Sequence, residues 1–143
     1  MSGARVLDLF AGTGAIGIEA LSRGAVSAVF VDSGAEQYAV IRANLSRLGI
    51  EGEVVRADVF RAIDRMAETG RVFDFVFADP PYELGYSGKA LEAVCTCGLL
   101  TPQGIMALTV RKTEELPHRA GDRVIALDRR YGDTRLVIYG KGS

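Results

Sequence analysis

Two stretches of this sequence carry residue types that do chemistry. The first is Val6-Leu7-Asp8-Leu9-Phe10-Ala11-Gly12-Thr13-Gly14-Ala15-Ile16-Gly17. An apolar run turns through closely spaced glycines into helix-favouring residues. Glycines let the backbone approach a ligand and take positive φ, and the first N–H groups of a helix are free to bind it. The literal spacing Gly12-x-Gly14-x-x-Gly17 also matches the dinucleotide fingerprint, so a nicotinamide cofactor stays open at this point. Asp8 weighs against it: a carboxylate ahead of the turn repels a pyrophosphate. It suits a cationic amine, such as the methionyl end of S-adenosylmethionine. The competing structural role for Asp8 is to hydrogen-bond the turn's own N–H groups.

Two more acidic residues belong with this turn. Asp32 closes the second apolar run, where a carboxylate accepts ribose hydroxyls, and Ser33 beside it covers an adenine. Asp58, followed by Val59, is placed to meet the adenine amino group or to cap a helix. Phe60 either packs on the base or fills the core. The expected cofactor-binding residues are therefore Asp8, Phe10, Ala11, Gly12, Gly14, Asp32, Ser33, Asp58 and Val59.

The second stretch is Asp79-Pro80-Pro81-Tyr82, whose members are the expected catalytic residues. An exocyclic amine on an aromatic ring is a poor nucleophile because its lone pair is delocalised. A carboxylate and a backbone carbonyl accepting its two N–H bonds hold the nitrogen towards pyramidal geometry. They also favour the positive charge that develops as it is alkylated. Prolines fix the loop and keep the Pro80 carbonyl out of helix bonding, and Tyr82 offers a flat face to a base.

The elements that must position these residues alternate short apolar runs with helical patterns, the signature of βαβ units around a mostly parallel sheet. Strands are expected at Arg5–Phe10, Ser27–Val31, Glu53–Ala57, Phe73–Ala78 and Ile105–Val110. Helices are expected at Ala15–Arg23, Gly34–Leu48, Phe60–Met66 and Lys89–Leu100, with Tyr38, Ile41, Leu45 and Leu48 on one face of the second. Arg123–Leu127 and Thr134–Tyr139 flank a turn and read as an antiparallel hairpin. Arg111–Ala120 reads as an exposed connection. The fold class is α/β, a Rossmann-like three-layer α/β/α sandwich, in which ligands sit outside the carboxyl ends of the strands.

The chain has 143 residues with a net charge of −1, a single-domain length. Near-neutrality argues mildly against a chain built to grip bare nucleic acid. No apolar run is long enough for a membrane span, and a cytoplasmic monomer with reduced thiols is expected. Cys95 and Cys97 lack further ligands for a metal, with Cys95 facing the core. His118 has no partner pattern and no assigned role. Arg129-Arg130-Tyr131 reads either as a contact for RNA backbone or as a solvated turn.

With both motifs in hand, the chain resembles the RsmD family of class I S-adenosylmethionine-dependent methyltransferases. The resemblance rests on Val6–Ala20, Phe75–Tyr82 and Arg130–Tyr139. It implies methylation of the N2 amine of a guanine in 16S ribosomal RNA, with S-adenosyl-L-methionine as cofactor and a small ribosomal subunit as partner. It also implies that Asp8, Gly12 and Gly14 lie against the methionyl part, Asp32 on the ribose and Asp58 on the adenine. Asp79, Pro80 and Tyr82 would then hold the guanine. Family members carry an N-terminal extension before the first strand that this sequence lacks, and reduced activity on RNA is expected from that. The alternatives are a DNA adenine-N6 methyltransferase, an NAD-dependent oxidoreductase and a non-catalytic cofactor-binding module.

Overall fold

The computed structural model describes residues 1–82 and 85–142. In chain order the elements are β1 (Arg5–Leu9), α1 (Ala15–Ser22), β2 (Ser27–Asp32), α2 (Ala35–Leu48), β3 (Glu53–Arg56) and α3 (Val59–Glu68). There follow β4 (Phe73–Ala78), α4 (Tyr86–Thr96), β5 (Leu100–Arg111), β6 (Arg119–Ala120), β7 (Arg123–Tyr131) and β8 (Thr134–Lys141). They form one eight-stranded sheet in the order β3-β2-β1-β4-β5-β8-β7-β6. Pairing is parallel from β3 through β5 and antiparallel from there outward. The chain winds from β1 to β3 in one direction, then crosses back to β4. The switch point therefore lies between β1 and β4, where ligands bind in such sheets.

Alternation along the strands builds two cores. Leu7, Leu9, Val29, Val31 and Val76 join Ile63 of α3 and Leu91 and Val94 of α4 on one side. Val6, Ala28 and Phe30 meet Ile41 and Leu45 of α2 on the other. Phe73, Val76, Phe77 and Ala78 of β4 are all buried, as a strand covered on both faces requires. No helix among the described residues is long and apolar enough to cross a membrane.

Several boundaries differ from the sequence expectation. α2 ends at Gly49 (φ 64°) with Ile50 N–H bonded to Leu45 and Gly49 N–H to Ser46. This Schellman turn brings Ile50 against the Phe30 core, and Leu48 is left 48% exposed. α3 runs further than Phe60–Met66, to Glu68, and α4 starts and stops earlier than Lys89–Leu100. β5 begins at Leu100 because its register against β4 jumps from Phe73↔Leu100 to Phe75↔Ile105. The carbonyls freed there, Thr101 and Gly104, accept from the Arg123 guanidinium, which is only 4% exposed.

The stretch Arg111–Ala120 is tied down rather than loose. Tyr139 donates its hydroxyl to the Pro117 carbonyl at 2.6 Å, Arg135 donates to the Glu114 carbonyl, and Arg119–Ala120 pairs with β7. Arg129-Arg130-Tyr131 lies in β7, not in a turn. Cys95 sits half-buried at the core margin, its thiol pushed up to about 12 by burial.

Candidate active site

The glycine turn after β1 is wound by its own residues and by two carboxylates. Phe10 takes φ 55°, unusual for a residue with a side chain, and Gly12 and Gly14 follow at 60° and 81°. Ala11 N–H bonds the Val31 carbonyl at 3.0 Å, joining the turn to the end of β2. Asp32 strengthens that join. Its Oδ2 accepts from Gly12 N–H and its Oδ1 from Gly34 N–H, both at 3.0 Å. Nothing lies within 4 Å of where a Gly12 Cβ would stand, so the turn's backbone is open there. Gly17 serves packing instead: a Cβ there would fall 2.3 Å from the Phe30 ring.

Asp8 lies beneath the turn, 1% exposed, with Oδ2 accepting from Gly17 N–H at 3.0 Å. Its carboxyl is raised to about 7. Burial is the main cause, opposed by the Gly17 bond and reinforced by the charges of Asp79 and Asp32. The hydrogen bond to the turn considered as a structural role is therefore present. The lowered acidity adds that the ionised form lacks a compensating cation.

Asp58 caps α3, accepting from Arg61 N–H at 3.1 Å, so its capping role is also present. Asp79, just past β4, accepts from the Thr109 hydroxyl of β5 through Oδ1. Pro80 is buried and Pro81 exposed, and among the described residues no donor reaches the Pro80 carbonyl. Tyr82 is 49% exposed. The Arg111 guanidinium lies 4.8 Å from its ring centroid and its hydroxyl is 3.5 Å from Thr134 Oγ1.

A cleft of about 460 Å³ joins these pieces, lined by Phe10, Asp32, Ser33, Asp58, Val59, Phe60, Asp79, Pro81 and Tyr86. It opens at the carboxyl ends of β1, β2 and β4. Ala11, Gly12 and Gly14 form the turn that follows Phe10, Asp8 lies beneath that turn in β1, and Pro80 and Tyr82 adjoin Pro81 in sequence; none of these six is among the lining residues. Glu83, next along the loop, lies outside the described residues. A larger hollow of about 590 Å³ lies at the opposite ends of β2 and β3, lined by residues such as Val26, Arg42 and Glu53. It gathers none of the expected site residues.

Sequence reading missed Tyr86. It forms an aromatic cluster with Phe10 and Phe60, at centroid distances of 6.4 and 5.8 Å, and Lys89 Nζ stands 4.2 Å from the Phe60 centroid. The available signal was Gly85 (φ 85°) starting α4 one residue ahead of Tyr86. Thr109, Arg111 and Thr134 were missed as well. Only strand register brings them to the Asp79 loop.

Comparison with known proteins shows the family and the fold. Residues 1–140 match the family model described as Conserved hypothetical protein 95. YlbH of Bacillus subtilis is 36% identical over 97% of this chain and 77% of its own length. Ribosomal RNA small subunit methyltransferase D of Escherichia coli is 30% identical over 80% of this chain, a match spanning 57% of that protein. A conserved hypothetical protein of Streptococcus pyogenes superposes with TM-score 0.91 at 33% identity, covering 99% of this chain and 88% of that one. A protein solved in complex with SAH shares the fold alone, with TM-score 0.77 and 16% identity over 96% of this chain and 45% of its own. The architecture is that of the class I methyltransferases, and the chain belongs to the Conserved hypothetical protein 95 family, the family of the RsmD-type methyltransferases.

Proposed function

We propose that this chain is the methyltransferase domain of an enzyme acting on ribosomal RNA, and that it methylates the exocyclic N2 amine of a guanine in the small-subunit RNA. The observation that carries this reading is the placement of Asp79 and Pro81 on the same cleft as Phe10, Asp32 and Asp58. The name of the Escherichia coli relative supports ribosomal RNA as the substrate class.

The residues fit S-adenosylmethionine. The open backbone at Gly12 and the electronegative base of the turn suit its cationic methionyl end, with Asp8 as counter-charge. Asp32 has one carboxylate oxygen on each of two backbone N–H groups and spare lone pairs towards the cleft for ribose hydroxyls. Asp58 and Val59 would meet the adenine, with Ser33 covering it. Bound there, the cofactor supplies an electrophilic sulfonium methyl group.

The protein's part is to present the nucleophile. Asp79 Oδ2 and the Pro80 carbonyl accept the two N–H bonds of the target amine, turning its lone pair towards the glycine turn. As the methyl group adds and positive charge develops on nitrogen, both oxygens would stabilise it, and Asp79 Oδ2 would take the proton that the amine sheds. Tyr82 and the Phe10–Phe60–Tyr86 cluster provide ring faces and edges for a base unstacked into the cleft.

Two measurements test this. Calorimetric titration with S-adenosylhomocysteine should give binding, and NAD in parallel should give none; binding of NAD alone would favour an oxidoreductase. Transfer of labelled methyl groups to small ribosomal subunits, followed by nucleoside digestion, should yield N2-methylguanosine. Label in DNA adenine instead would move the substrate to the DNA alternative.

A further inference from the structure

The site described above leaves a basic and aromatic sheet face beside the Asp79 loop without a role. Strand register defines it. Arg111, Thr134 and Tyr131 are partners across β5, β8 and β7, and Thr109, Leu136 and Arg129 form the next row. Partners in a sheet point to the same side. Three contacts show that this is the side of the target loop: Thr109 bonds Asp79, Arg111 lies over Tyr82, and Thr134 meets the Tyr82 hydroxyl. On this side α1 and α2 pack on β1, β2 and β3, while α4 packs on β5 from the other. Among the described elements no helix lies across the β5-β8-β7 face.

Its chemistry suits a single strand of nucleic acid. Tyr131 is 56% exposed and Tyr82 49%. Among the described residues neither Arg111 nor Arg129 has a carboxylate partner. The rows themselves contain no acid. Asp128 points to the opposite face, bonded to Arg135, and Asp133 at the hairpin turn is engaged by Lys112 at 3.1 Å. The same alternation sends Arg130 to the opposite face, where it is the register partner of Arg135. Cations free of acids and interleaved with exposed aromatic rings are what an RNA strand meets on a binding platform.

We propose that the β5-β8-β7 face carries the RNA strand that leads into the target cleft. Arg111 and Arg129 neutralise backbone phosphates and Tyr131 stacks a flanking base. This rests on the reading of the chain as an RNA methyltransferase and names the surface that reading lacks.

The test is fluorescence anisotropy of the whole chain with a labelled single-stranded, guanine-containing RNA oligonucleotide, with S-adenosylhomocysteine saturating and salt varied. Arg129→Gln and Arg111→Gln should each lower the slope of log affinity against log salt by about 0.7. Tyr131→Ala should weaken binding at least about fivefold. Arg130→Gln makes the same charge change on the other face and should leave the slope unaltered. Equal losses from Arg129→Gln and Arg130→Gln would overturn the face assignment. So would a chain that binds S-adenosylhomocysteine but no RNA, or one that dimerises in sedimentation and becomes monomeric with Tyr131→Ala. Failure to bind S-adenosylhomocysteine and to transfer methyl groups would strike the proposed function instead, and calorimetry reads that separately.

Discussion

The Asp8 carboxylate receives the Gly17 N–H at 3.0 Å from within a nearly closed pocket, so one acid both braces the turn and stands short of a counter-charge. Its carboxyl titrates near 7 in the folded chain against an ordinary 3.8. The native state therefore binds the extra proton between those values. The stability tied to it is complete below about pH 4, falls as pH climbs, and is gone above about 7. Asn keeps an acceptor for Gly17 without the charge. Asp8→Asn should match the wild type near pH 4 and exceed it at pH 8 by on the order of a few kcal/mol in urea unfolding.

The same carboxyl sets a second expectation. A cationic ligand beside Asp8 favours its ionised form, so binding should expel a proton below pH 7. Affinity for S-adenosylhomocysteine should rise from pH 5.5 to pH 8, with proton release visible as calorimetric heats that depend on the buffer. In Asp8→Asn the pH dependence should vanish and affinity should fall about tenfold or more. An unchanged affinity would remove Asp8 from the cofactor site.

Thr109 is expected to act as a positioning residue. Its hydroxyl holds Asp79 Oδ1, leaving Oδ2 as the oxygen that can face a target amine. Thr109→Val removes a hydrogen bond to a charged group, worth about 1.5–3 kcal/mol. The expected result is a fall in kcat of about tenfold or more. Affinity for S-adenosylhomocysteine should stay the same, and Thr109→Ser should restore most of the rate. A loss confined to KM would show that Thr109 shapes binding and not the amine's approach.

How much of this was legible in the sequence follows from how local each signal is. Gly12 and Gly14 announce their turn because the constraint is on their own φ angles, and Gly17, inside α1, answers to the missing Cβ. Asp79-Pro80-Pro81-Tyr82 announces a loop because proline ends a ladder wherever it stands. Thr109, Arg111 and Thr134 carry no such mark, since their place at the site depends on how β5 and β8 register against a distant loop. Arg129 and Arg130 look equivalent as neighbours in sequence, and only their position in a strand separates their faces. Arg123 reads as a surface charge until the register jump in β5 leaves carbonyls for it to satisfy.

Gly17 tests whether packing, rather than ligand contact, selects the third glycine of the turn. An added Cβ would lie 2.3 Å from Phe30 Cε2 and 2.7 Å from Cζ, and Phe30 is itself fully buried between Gly14, Gly17 and Gly52. Neither α1 nor the ring can move freely. Gly17→Ala should therefore destabilise the chain by about 1–3 kcal/mol, the usual cost of overpacking, despite the higher helix propensity of alanine. Shortening the opposing side chain with Phe30→Leu makes room. The double variant should then be less destabilised than the sum of the two single ones, with a coupling of about 1 kcal/mol or more in urea denaturation. Strict additivity would mean that the clash relaxes elsewhere and that Gly17 answers to something other than Phe30.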